Sequence, residues 1–286
     1  MFNVLFILSI ALAPAFLLML YVYYRDRIQP EPIGNLLLGL LFGTLSIPLT
    51  LAMTSLLPEV EPGTVFAGFY DAFVGAAIPE EIAKFVMLFL LVFRMKSFDE
   101  PFDGIVYASC VGLGFAGVEN ILYVAGGEDL GEILGVGIAR AFLAVPGHFS
   151  DALAMGYFFA MAWFGSPRRR VMNYVLALAV PITMHGIYDS LLMVGENLGD
   201  VVFVFTFLIC IVYSIAVFAL VNWRISALRT PKMPAVAVAM PESPIAPPPV
   251  PVYPMTPPAT PPAVPPLPTQ LPPPLPEQDD DSQQGE

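Results

Sequence analysis

Apolar residues in this chain gather in long unbroken runs rather than in the one-faced stripes or strict alternation of a water-facing domain. A membrane span takes about 20 apolar residues. Seven runs qualify, at about 2–24, 33–57, 64–95, 104–125, 133–164, 173–194 and 201–223. The polar breaks between them alternate in charge. Those at 25–32 (Arg25, Arg27), 96–103 (Lys96, with Arg94 at its edge) and 165–172 (Arg168, Arg169, Arg170), with the segment after 223 (Arg224, Arg229, Lys232), hold ten of the 12 basic residues. The breaks at 58–63, 126–132 and 195–200 hold none, and the first two carry Glu59, Glu61, Glu128, Asp129 and Glu132. The pattern predicts an all-α fold, a polytopic transmembrane helix bundle of about seven spans. Basic loops stay in the cytoplasm, so the N-terminus is expected outside and the C-terminus cytoplasmic. The first run has no basic segment before it and continues well past its Ala-Leu-Ala, so it reads as a retained span and not a cleaved signal.

Two runs are too long for one crossing, and each holds a proline, Pro79 or Pro146. Proline disrupts a helix interior but suits a first turn. A short re-entrant or interfacial helix is therefore expected over 64–78, with a new helix starting at Pro79. A second break at Pro146-Gly147 is expected to start the helix carrying His148. Helix starts at membrane depth are tolerated only beside protein or a cavity. The first would place Glu80 and Glu81 where the helix dipole favours carboxylates. Gly39 and Gly43, four apart, and the glycines at 112, 114 and 117 point to closely packed helices.

Composition strengthens this picture. The chain is 57% hydrophobic and 13% charged, against about 25% charged for a soluble domain, and its mean hydropathy is +0.73. It is expected in the cell membrane, in contact with lipid. The net charge of −12 comes partly from a terminal cluster, Glu277 and Asp279 to Asp281. No basic surface suggests nucleic acid as a partner. Cys110 and Cys210 lie in apolar runs and read as small buried hydrophobes, not a disulfide. Residues 1–225 form the expected folded domain. Residues 226–286 form a tail, Pro-rich from about 231 with runs such as PPPVPVYP and LPPPLP, and acidic at its end. Such a tail is expected to be disordered and polyproline-like, and its P-x-x-P spacing suits docking to a cytoplasmic domain.

Against so apolar a background, the ionisable residues inside the runs stand out. A charge at the bilayer centre costs on the order of 2.5–3.5 kcal/mol. Yet the runs hold Glu80, Glu81, Lys84, Glu119, Arg140, Asp151, Asp189 and both histidines of the chain, His148 and His185. At about 1.5 Å per residue, Glu80, Glu119, His148 and His185 all fall near mid-membrane or in the outer half. Glu80 and Lys84 have ion-pair spacing. Asp151 lies three residues after His148, and Asp189 four after His185, so each histidine has a carboxylate on its own helix face. Such a partner fixes a histidine's tautomer and raises its basicity. Arg140 either pairs with a carboxylate or reaches outward. Ser150 points away from His148, and no serine or cysteine is placed as a nucleophile beside a histidine. Buried acids and histidines also build proton relays, so a proton- or ion-coupled transporter is the alternative reading, though no inverted repeat is evident. A third is an inactive membrane scaffold.

The local patterns are P-E-E-I-A-K (79–84), F-A-G-V-E-N (115–120), P-G-H-F-S-D (146–151) and M-H-G-I-Y-D (184–189). In this order the chain resembles the PrsW-type intramembrane proteases, relatives of the type II CAAX prenyl proteases. Glu80, Glu81 and Lys84 match the family's Glu-Glu-x-x-Lys/Arg motif. Phe115 and Glu119 match Phe-x-x-x-Glu, and His148 and then His185 with Asp189 match two later histidine motifs. The resemblance covers roughly residues 1–225. It implies an endopeptidase acting on a single-pass or membrane-anchored protein, such as a membrane-bound anti-sigma factor. It also implies a carboxylate base for the attacking water, Glu80, with Glu81 as a ligand or support and Lys84, Asp151 and Asp189 as supporting residues. Glu119, His148 and His185 then either hold a zinc ion or leave the site metal-free, with histidines donating to the oxyanion.

Overall fold

A computed structural model describes residues 4–26 and 29–228, which are helical with no strand among them. The order is α1 (Val4–Arg25), α2 (Ile33–Thr54), α3 (Val65–Tyr70), a π-helical segment (Asp71–Ala77), α4 (Ile78–Val92), α5 (Pro101–Ala125), α6 (Leu130–Phe142), α7 (Ala144–Trp163), a 3-10 turn (Pro167–Arg169), α8 (Arg170–Leu198) and α9 (Asp200–Leu228). Among the described residues, six stretches are long and apolar enough to cross a bilayer, one of them α6 and α7 in series. The seventh expected crossing, 64–95, consists of α3, the π segment and α4, of which α4 has only 15 residues. The Pro-rich tail lies outside the described residues.

A helix that is apolar all round belongs inside a bundle. α5 is such a helix, and it is buried from Asp103 to Gly117 without a break. α1, α2 and α7 surround it. Glycine permits the closest of these contacts. A Cβ on Gly43 would lie 2.1 Å from the Val111 carbonyl oxygen, and one on Gly114 would lie 2.2 Å from that of Leu40. The expected Gly39/Gly43 packing face is thus the α2–α5 crossing. α5 starts with a reciprocal capping box between Glu100 and Asp103, which satisfies the first free N–H groups. Near that end the Tyr107 hydroxyl is hydrogen-bonded to the buried Glu31 carboxylate and is joined by Ser97 and Asn35.

Both expected helix starts differ in detail. The chain does not break before Pro79. It runs helically from α3 through the π segment into α4, with the Ile78 N–H donating to the Phe73 carbonyl five residues back. The wider π turn lets the chain pass a proline that can neither donate nor fit under a regular turn. The second break falls at Leu143, three residues before Pro146, which sits in the first turn of α7. That is where proline is tolerated.

Candidate active site

α4 projects Glu80, Glu81 and Lys84 from its first two turns into the bundle, and all three are buried. Lys84 Nζ donates to Glu81 Oε1 at 2.7 Å and to Glu80 Oε2 at 3.3 Å. It also lies 3.1 Å from His148 Nδ1 on α7 and 4.0 Å from the centre of the Phe115 ring on α5. From α8, His185 sets Nδ1 2.9 Å from Glu81 Oε1 and Nε2 3.1 Å from Asp189 Oδ2, while Glu80 Oε2 stands 3.9 Å from Nε2. The two imidazole rings meet edge to face, with centroids 5.1 Å apart. Three helices therefore deliver two carboxylates and two histidines to one point. Ligand-capable atoms of Glu80, Glu81, His148 and His185 all lie within 4.8 Å of one another.

His185 takes the partner expected from its own helix, Asp189. His148 does not. Its Nε2 lies 2.7 Å from Glu119 Oε2 on α5, an interhelical contact. Asp151 is buried but makes no hydrogen bond to His148 among the described residues, which corrects the expectation that it would be that histidine's partner. It lines a small cavity with Ser150, Tyr188, Tyr213 and Ser214, between α7, α8 and α9. The spacing gave both groups one helix face, but the ring turned to the carboxylate across the α5–α7 contact. Gly112 allows that approach, since a Cβ there would lie 2.5 Å from the Ala152 Cβ.

Arg140, left undecided by the sequence, is paired. Its Nη2 donates to Glu119 Oε2 and its Nε to Asn120 Oδ1, both at 2.6 Å, and the guanidinium lies over the Tyr123 ring. Asn120 stood out in the sequence only as a polar neighbour of Glu119 that points elsewhere on the helix, and Tyr123 did not emerge; neither was expected to meet Arg140. The signal was that Arg140 is, besides Lys84, the only basic residue inside an apolar run. Such a charge has to find a partner or reach water.

The donor set fits a metal ion. Two carboxylates and two imidazoles are ligands zinc accepts. Glu81 Oε2 is buried with no hydrogen-bond partner, a costly state for a carboxylate oxygen unless a cation or water satisfies it. Five carboxyls gather here, on Glu80, Glu81, Glu119, Asp151 and Asp189, against two basic side chains, Lys84 and Arg140, an excess of acid groups that suits a cation. The group differs from the expected ligands Glu119, His148 and His185. Glu119 lies outside it, its Oε2 shared by Arg140 and His148.

Residues 31–221 match the family described as PrsW family intramembrane metalloprotease. Among curated proteins, "Protease PrsW" of Geobacillus kaustophilus is 37% identical over 194 residues, 68% of this chain and 82% of that one. The proteins of the same name from Clostridioides difficile and Bacillus subtilis are each 32% identical, over 65% and 67% of this chain and 78% and 84% of their own lengths. No solved structure matches the chain. With two thirds of its length matched and its ionisable residues gathered in a bundle of membrane-length helices, the chain belongs to the PrsW family of intramembrane metalloproteases and is a multi-pass membrane peptidase.

Proposed function

We propose that this peptidase hydrolyses a peptide bond in a membrane-anchored protein, with Glu80 as the base that takes the proton of the attacking water. One observation carries the reading: Glu80, Glu81, His148 and His185 come from three helices to within 4.8 Å of each other. Glu80 suits the base because, among the described residues, its carboxylate accepts one side-chain hydrogen bond, from Lys84 at 3.3 Å, whereas Glu81 Oε1 is already shared by Lys84 and His185. Glu81 is the tie between α4 and α8. His185 is held at both ring nitrogens, by Glu81 and by Asp189. Glu81, His148 and His185 would hold a zinc ion and leave Glu80 free as the base; a bound zinc would polarise the scissile carbonyl and make its water acidic. A metal-free reading has its own support, because Lys84 Nζ stands among Glu80, Glu81 and His148 and supplies a cation for the oxyanion. The substrate class, by resemblance to the family, is a membrane-bound regulator such as an anti-sigma factor.

The test uses the full chain in proteoliposomes with single-pass membrane proteins, an anti-sigma factor among them, and product ends read by mass spectrometry. Cleavage is expected, and removing the base should slow it by about 10²–10⁴-fold. Glu80→Ala and His185→Ala that both cut at the wild-type rate would sink the site. One bound metal per chain, with loss of activity on chelation and its return with Zn²⁺, selects the metal reading. Full activity without bound metal selects Lys84.

A further inference from the structure

α6 lends the site a single polar group, and its chemistry is bidentate. Arg140 stands in the last turn of α6, against α5. Its two hydrogen bonds reach adjacent residues of α5, Glu119 and Asn120, and its plane covers Tyr123 one turn on. Asn120 is itself fixed, because its amide nitrogen donates to the Ala11 carbonyl of α1 at 3.0 Å, which leaves Oδ1 facing Arg140. A planar guanidinium held on three sides has one orientation, which places the Glu119 Oε2 that it binds.

That carboxylate reaches the site through His148. Lys84 Nζ, 3.1 Å from His148 Nδ1, can only donate, so Nδ1 carries a lone pair. The ring proton is therefore on Nε2 and points at Glu119 Oε2, 2.7 Å away. Turning the ring over, or moving its proton, would take the lone pair away from Glu80 and Glu81. Without Arg140, Glu119 would keep His148 as its remaining hydrogen-bond partner among the described residues and could swing with it.

We propose that Arg140 is a positioning residue, which, acting through Glu119, holds the His148 ring with its Nδ1 lone pair turned toward the Glu80–Glu81 cluster. This rests on the active-site reading above, and it assigns α6 a task besides packing. Loss of an outer partner of this kind typically costs about 10–100-fold in activity. The loss should fall on kcat and spare KM, because Arg140 acts on the site through Glu119.

The chain has two histidines, so ¹⁵N-histidine labelling of the full protein in detergent gives two imidazoles, and His185→Gln assigns them. Wild type should show His148 as a single neutral form protonated at Nε2. In Arg140→Gln its two ring nitrogens should broaden or move toward a shared intermediate shift. Glu119→Gln should do the same, and the double variant should be no worse than either single one. Arg140→Lys, which keeps the charge and loses the fork, should fall between. It carries the test if Arg140→Gln fails to fold. A folded Arg140 variant with the wild-type His148 spectrum overturns the proposal and leaves Arg140 as an anchor for α6. The spectrum does not depend on cleavage. A chain that cuts nothing yet shows the shift refutes the peptidase mechanism alone, and one that cuts while its spectrum ignores Arg140 refutes this inference alone.

Discussion

Glu80 and Glu81 are neighbours in sequence, and their surroundings separate the tasks proposed for them. Glu81 is fully buried and its Oε1 accepts from two donors on two helices. Glu80 is slightly open and has one longer hydrogen bond. Removing one partner of a buried, hydrogen-bonded charge pair costs about 3–5 kcal/mol. Glu81→Gln should therefore lower the unfolding temperature in detergent, with activity lost along with stability. Glu80→Gln keeps the shape and gives up the base, so it should unfold near the wild-type temperature while cleaving at a small fraction of its rate. The reverse pattern would exchange the two roles. Much of this site was legible from residue type and depth alone, since Glu80, Glu81, His148 and His185 are costly where they sit. The partner of His148 was not legible. Spacing along one helix tells where a Cβ points, whereas Glu119 reaches that ring across the contact between α5 and α7 and is itself bound by Arg140 of α6.

The elements deliver these residues through backbone contacts that admit no side chain. At the α2–α5 crossing, a Cβ on Gly114 would lie 2.2 Å from the Leu40 carbonyl oxygen and 3.0 Å from its Cα, both backbone atoms. Gly114→Ala must push the helices apart, and such overpacking costs about 1–3 kcal/mol. Gly135, inside α6, has nothing within 4 Å of its Cβ position, so Gly135→Ala should be neutral or stabilise by up to about 1 kcal/mol through helix propensity. Thermal unfolding of the two side by side checks the crossing. Equal stability would mean that α2 and α5 are not so close. Because α5 carries Glu119 five residues on, Gly114→Ala should also reduce cleavage. The glycine pattern announced this contact, and the prolines announced irregular backbone. They did not reveal that a π segment would carry the chain past Pro79 unbroken. That outcome depends on packing against α8, where a Cβ on Gly186 would meet the Phe73 ring at 2.2 Å.

For the whole molecule, the helices leave open which end faces which side, and the charges of the loops predict it. The turn between α7 and α8 carries Arg168, Arg169 and Arg170, all exposed, whereas the link between α5 and α6 carries Glu128 and Asp129 and no basic residue. Basic loops remain in the cytoplasm, so the α7–α8 turn should lie inside and the α5–α6 link outside. The native thiols interfere little with a labelling test, because Cys110 and Cys210 are both buried. In intact cells, Glu128→Cys should react with a membrane-impermeant maleimide, and Arg169→Cys should react only once the membrane is opened. Labelling of both from outside, or of Arg169→Cys alone, would invert or break the assigned topology. The result bears on the substrate as well. Glu80 and His148 follow acidic outer loops in the chain, while His185 follows the basic turn. With the assigned orientation, the first two helices enter the site from outside and α8 enters from the cytoplasm. The scissile bond then meets the site within the membrane, between helices running in opposite directions.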